Sequence, residues 1–169
     1  ALGTGQLQGL APTRVAAILP SLVTSLGTAQ IEALTTDQAA ALSAAQLGQL
    51  TTAQIRALQT ADLQAIATAS MSGFTATQIA AMQSSQLAAF KTEQLAAISA
   101  DKFTAVGTSQ VTGLTTSQLN TIKADQVAAL PETPPLWERI TQALADSREA
   151  FRRNERLVTR QAEVVRNAL

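Results

Sequence analysis

From Gly3 to Leu130 the chain is one uninterrupted series of sixteen octads. A period this short and this strict leaves few folds open, because whatever one octad adopts its copies must adopt too. Position eight is apolar in all sixteen copies, and so is position five, where Ala39 is the one small side chain. Position four is Gln in eleven copies, among them Gln30, Gln38, Gln46, Gln54, Gln78, Gln86, Gln94, Gln110, Gln118 and Gln126. Position seven is small everywhere except at Gln49. The clearest copies read Thr-Thr-Asp-Gln-Ala-Ala-Ala-Leu (35–42) and Thr-Thr-Ala-Gln-Ile-Arg-Ala-Leu (51–58).

A single long helix does not fit this pattern. Eight residues at about 100° each overshoot two turns by roughly 80°, so the apolar stripe would leave any fixed face within a few repeats. Pro12 and Pro20 would also break such a helix from within. In a strand, positions five and eight would point to opposite faces, and Ala and Gln are weak strand formers.

A helix that restarts in every octad meets all the constraints together. With position one as the N-cap, Pro12 and Pro20 fall at the first helical position, the one that accepts proline. The Gln of position four falls at N3, giving the capping box Ser/Thr-x-x-Gln, as in Thr35 with Gln38. The preceding position eight and position five become the pair that forms a hydrophobic staple. Asp37, Glu93, Asp101 and Asp125 at position three sit where the helix dipole favours an acid. Gln59, Ala67, Gln83, Lys91 and Lys123 are poor caps, and there the adjacent Thr or Ser is expected to cap one residue later.

A seven-residue helix is only about 10 Å long and is not stable alone. Stability must come from position-five and position-eight side chains stacked between neighbours, with a small position seven permitting close approach. The expected fold is therefore all-α: a solenoid or superhelix of about sixteen very short capped helices over 1–130. Each octad is expected to occupy a nearly equivalent environment and to touch only its neighbours. The hand of the winding is left open.

Pro131, Pro134 and Pro135 end the array and make 131–135 a proline-rich linker. Residues 136–169 then read as one long amphipathic helix, with apolar residues at seven-residue spacing: Trp137, Leu144, Phe151, Val158 and Val165. Ile140 opens a companion seam that continues through the polar Ser147, Asn154 and Gln161. Two roles fit this helix. It folds back to cap the open end of the array, as terminal elements of repeat proteins must, or it is an interaction and oligomerisation helix.

Formal net charge is zero and near zero in each part, so neither nucleic acid nor an anionic membrane surface is implied as a partner. The chain contains no His, Cys or Tyr, which removes most general bases, thiolate nucleophiles and soft metal ligands together. The carboxylates of the array are isolated, and the dispersed glycines make no phosphate loop. No enzyme activity, catalytic residue, cofactor, metal or small-molecule substrate is expected, and no stretch is apolar enough to span a bilayer. The local charge cluster Lys91, Glu93, Asp101 and Lys102 reads as a solvated face. The Gln and Thr ladders are read as capping and solvated. Ala1 and Leu2 fit positions seven and eight of an octad that begins upstream, so a fragment of a longer array is expected. The compartment stays open.

The form Leu-Thr-Thr-x-Gln-Ile-x-Ala-Leu at Leu50 to Leu58 resembles the tandem repeats of very long bacterial surface or secreted proteins, over residues 2–130. That resemblance implies a spacer, stalk or adhesin-type array, extracellular or at the cell surface. The alternative is a protein-binding module that uses the solenoid surface or the tail helix for self-association or larger assembly, or an engineered solenoid.

Overall fold

The computed structural model describes residues 3–123, together with 125, 126 and 142. Among the described residues the regular elements are fourteen short α-helices, from Thr4–Gln8 to Thr116–Leu119, and one 3₁₀-helix, Thr68–Gly73. They follow the octads one for one. The linker 131–135 lies outside the described residues, as do Trp137, Ile140, Leu144, Phe151, Val158 and Val165 of the tail.

Each helix starts at position two, and the full-length ones end at position seven. Position eight and the following position one are both extended, as at Leu50 (φ −60, ψ 136) and Thr51 (φ −70, ψ 161). Two consecutive extended residues thus turn the chain from one helix into the next. No described residue has a positive φ, so the link needs no conformation reserved for glycine. Pro12 and Pro20 each open a helix, where a missing N–H costs nothing.

The expected one-residue shift behind poor caps does not occur. Gln59, Ala67, Gln83 and Lys91 remain the N-caps of helices starting at Thr60, Thr68, Ser84 and Thr92. Burial of positions five and eight holds the register, and a cap worth about 1 kcal/mol does not overrule it.

The packing differs from a chain of sequence neighbours. The helix Thr36–Ala40 packs on Pro12–Ala16 and on Thr60–Ala65, and Ala44–Gln49 packs on Pro20–Val23 and on Thr68–Gly73. In each case the partners are three octads away. Position-four side chains reach four octads back, as Gln38 does to Leu7 and Leu10. One superhelical turn therefore contains between three and four octads. A residue in an α-helix meets its neighbours three and four away for the same geometric reason, one level down.

Burial follows the turns. Position five is buried from the first octad, with Leu7 at 0% exposure. Position eight is only partly buried at Leu10, Ile18 and Leu26, and becomes buried from Leu34 onward. Octad four is the first to have another octad three places before it, so position eight faces the preceding turn. Phe74 and Phe90, both at position eight, meet edge to face with ring centroids 5.8 Å apart, a favourable aromatic geometry.

Candidate functional site

The feature that distinguishes this array chemically is the column formed by position four. A glutamine amide brings two acceptor sites and two N–H donors, and burial demands that they be met. The carbonyl oxygen turns back on its own helix start. Gln54 Oε1 accepts the Thr51 N–H at 2.8 Å, and Gln94 Oε1 accepts that of Lys91 at 2.7 Å. Where position one is Ser or Thr, the hydroxyl can accept in return from the Gln main-chain N–H, at 3.2 Å for Gln38, Gln46, Gln54, Gln78 and Gln118.

The amide nitrogen does something different. It donates to main-chain carbonyls of the octad four places earlier, typically those of positions five and eight. Gln54 Nε2 reaches Val23 O at 2.9 Å and Leu26 O at 2.7 Å, and Gln94 Nε2 reaches Leu63 O and Ile66 O at 2.9 and 2.7 Å. Gln78 and Gln110 repeat the arrangement. Gln118 uses Ala88 O and Phe90 O, both at 2.7 Å. Gln126 closes the series on Leu95 O at 3.1 Å and on Ile98 O.

These glutamines, from Gln38 to Gln126, cap their helices as expected but are buried, which corrects the reading of them as solvated. Gln30, in the first turn, is half-buried and takes the Gly27 N–H at 2.6 Å. The sequence held a signal for the inward role. A capping box is served equally by Glu or Gln at N3, yet no octad has Glu at position four. Only the amide supplies a donor.

The departures from Gln follow the same logic. Arg14 and Leu22 belong to the first turn and are exposed, with no carbonyls beneath them among the described residues. Ser70 Oγ donates to Leu42 O at 2.9 Å. Lys102 Nζ donates to Ser72 O at 2.7 Å, so this lysine is committed to the layer beneath and is not simply part of a solvated charge cluster. Glu93 in the same cluster stays exposed. Its own main-chain N–H and the Thr92 hydroxyl hold its carboxyl below the usual range.

As a carboxylate, Asp62 has no donor to offer. Burial pushes its carboxyl above the ordinary value of 3.8, while the Gln59 main-chain N–H pulls in the other direction. The raised folded pKa means that folding favours the protonated acid. Its stability contribution is therefore present below about pH 3.8 and is lost as pH rises through the folded pKa. In metal-free buffer, the melting temperature of Asp62→Gln minus that of the parent is expected to grow as pH rises above about 3.8. A pH-independent difference would contradict this.

A second expectation concerns the column itself. Gln86→Leu strands the Leu58 carbonyl, 2.9 Å from Nε2, and the Gln83 N–H, and it leaves Ile55 O with only its bond from the Leu58 N–H. At about 1–3 kcal/mol for each buried group left unpaired, the loss in urea unfolding should be about 3 kcal/mol. Gln6→Leu, in the exposed first turn, loses one exposed bond to the Gly3 N–H and should cost about 1 kcal/mol or less.

Elsewhere the surface offers little convergence. A shallow outer groove is lined by Thr52, Ala53, Arg56, Thr77, Ala80 and Ala81, and Arg56 Nε is spent on Ala81 O at 2.8 Å. Among the described residues no three His, Cys, Asp or Glu side chains gather in a way that could hold a metal ion. No helix among them is long and apolar enough to cross a membrane.

The fold and the glutamine column define an all-helical tandem-repeat module. Residues 22–60, 55–92 and 79–116 match the family model of the ALTTAQ repeat, and the chain belongs to that repeat family. The family's name spells positions seven, eight, one, two, three and four of the octad, ending on the Gln that bonds the turns together. Comparison with curated proteins and with solved structures gave no match.

Proposed function

We propose that the array is a structural spacer: a segment of a larger surface or secreted protein that holds other parts at a distance and has no catalytic role. One observation carries this reading. From the fifth octad on, Asp62 excepted, each described position-four side chain ties its turn to the turn beneath. Added octads then add length without any new kind of contact, as in other repeat proteins. The absence of His, Cys and Tyr from the chain supports the non-catalytic part.

Small-angle scattering on a chain carrying residues 3–130 twice in tandem tests the spacer. The maximum dimension should grow by the length of one array at constant cross-section. A compact particle of doubled cross-section would overturn the reading. Leu19 and Leu22, 63% and 53% exposed in the first turn, favour a second reading, in which that turn is a self-association surface. Light scattering on the parent and on Leu19→Ser/Leu22→Ser would then show a dimer or larger species in the parent only.

A further inference from the structure

Asp62 stands alone in the column. Every other described position-four side chain with a layer beneath it donates a hydrogen bond to that layer, whether Gln, Ser70 or Lys102. Asp62 is 2% exposed. The Gln59 main-chain N–H bonds its carboxylate, while Oδ2 is buried without a hydrogen-bond partner among the described residues. Along the column Nε2 meets the carbonyls 31 and 28 residues back, as Gln54 meets Val23 and Leu26. For position 62 the counterparts are Ile31 O and Leu34 O. The neighbouring Glu32 carbonyl is already engaged by Gln59 Nε2 at 2.7 Å.

By the register of the Gln layers, the ionised Asp62 places three oxygens toward one interior place, one of them anionic and none bringing a donor. A buried carboxylate is costly unless it is paired or coordinates a metal, and an all-oxygen set of carboxylate and carbonyls is the ligand chemistry of hard cations. We propose that Asp62 Oδ2, Ile31 O and Leu34 O contribute three of the oxygen ligands of a site for a hard cation, calcium or sodium, which bridges the two turns where the amide nitrogen bridges them in other layers. The dimensions are compatible. In Gln layers the nitrogen lies 2.7–2.9 Å from the two carbonyl oxygens, slightly beyond the ~2.3–2.6 Å of calcium–oxygen bonds. The Asp side chain is one methylene shorter, about 1.5 Å. An ion at the nitrogen's place thus lies between the carboxylate and the carbonyls. With one carboxylate in the set, the affinity is modest, roughly millimolar.

The test is thermal unfolding of the full chain at pH 7.5 in millimolar calcium chloride, in sodium chloride and in choline chloride at matched ionic strength, beside Asp62→Gln. A ligand that binds only the folded state raises its melting temperature. The parent should melt a few degrees higher in calcium or in sodium than in choline, and whichever salt acts identifies the ion. Asp62→Gln, which restores the residue found in the neighbouring layers, should melt at one temperature in all three. Equal melting of the parent in the three salts, or an equal rise in Asp62→Gln, overturns the proposal.

Discussion

Gly73→Ala is expected to lower the unfolding free energy by about 3 kcal/mol or more, the upper range for overpacking, read as a fall in the urea midpoint at unchanged slope. A Cβ on Gly73 would lie 2.1 Å from Ala44 O and 2.6 Å from Ala44 C and Cα. Those are main-chain atoms, so no rotamer change relieves the overlap and the two turns must separate. Gly73 sits at position seven and Ala44 at position two of the octad three places earlier. The same pairing recurs at Gly113, whose Cβ would come 3.2 Å from Ser84 Cβ. Helix propensity alone points the other way, favouring Ala over Gly by about 1 kcal/mol. The steric term should win at Gly73. Gly5, with nothing within 4 Å of its Cβ position, should show the propensity gain instead, and it provides the control.

Ile98→Asp should be at least as damaging, with a loss of about 4 kcal/mol or more. Ile98 is 2% exposed and its carbonyl receives Gln126. The substitution forfeits about 2–3 kcal/mol of apolar burial and places an unpaired charge between two turns. Leu58→Asp, at the same position of an earlier octad and 3% exposed in the parent, should behave alike. Hydrogen exchange shows where the damage travels. Octad 91–98 packs on 67–74 and 115–122, so protection should fall in those segments along with the mutated octad. Loss confined to 91–98 and the octads adjoining it in sequence would contradict the superhelical packing described above.

The column of glutamines shows how far the sequence could be read. Gln38 was legible as an N3 residue facing Thr35, because a capping box lies within four consecutive residues. Its second bond, to Leu7 O and Leu10 O, spans four octads and leaves no mark in any single one. Gln83 and Lys91 show the converse. Judged locally they are poor caps, yet their helices start in register, because buried Leu87 and Leu95 and the oxygens of Gln86 and Gln94 hold the start in place. Asp62 reads from sequence as one irregular octad among five. Only the tertiary structure shows it buried with an oxygen left unpartnered.

What the octad by itself determined was the unit: a short helix restarted every eight residues, with positions five and eight inward and no strand. Proline at N1, the capping pair and the apolar spacing all act within one repeat, so local physics suffices. The number of octads in a turn was decided only in the tertiary structure. It depends on the small rotation between successive helices, set jointly by the extended pair at positions eight and one and by side chains meeting across turns. That rotation chose neighbours three and four octads away. With them it chose the carbonyls that Gln54 reaches, the backbone that Gly73 must clear and the interior in which Asp62 is buried.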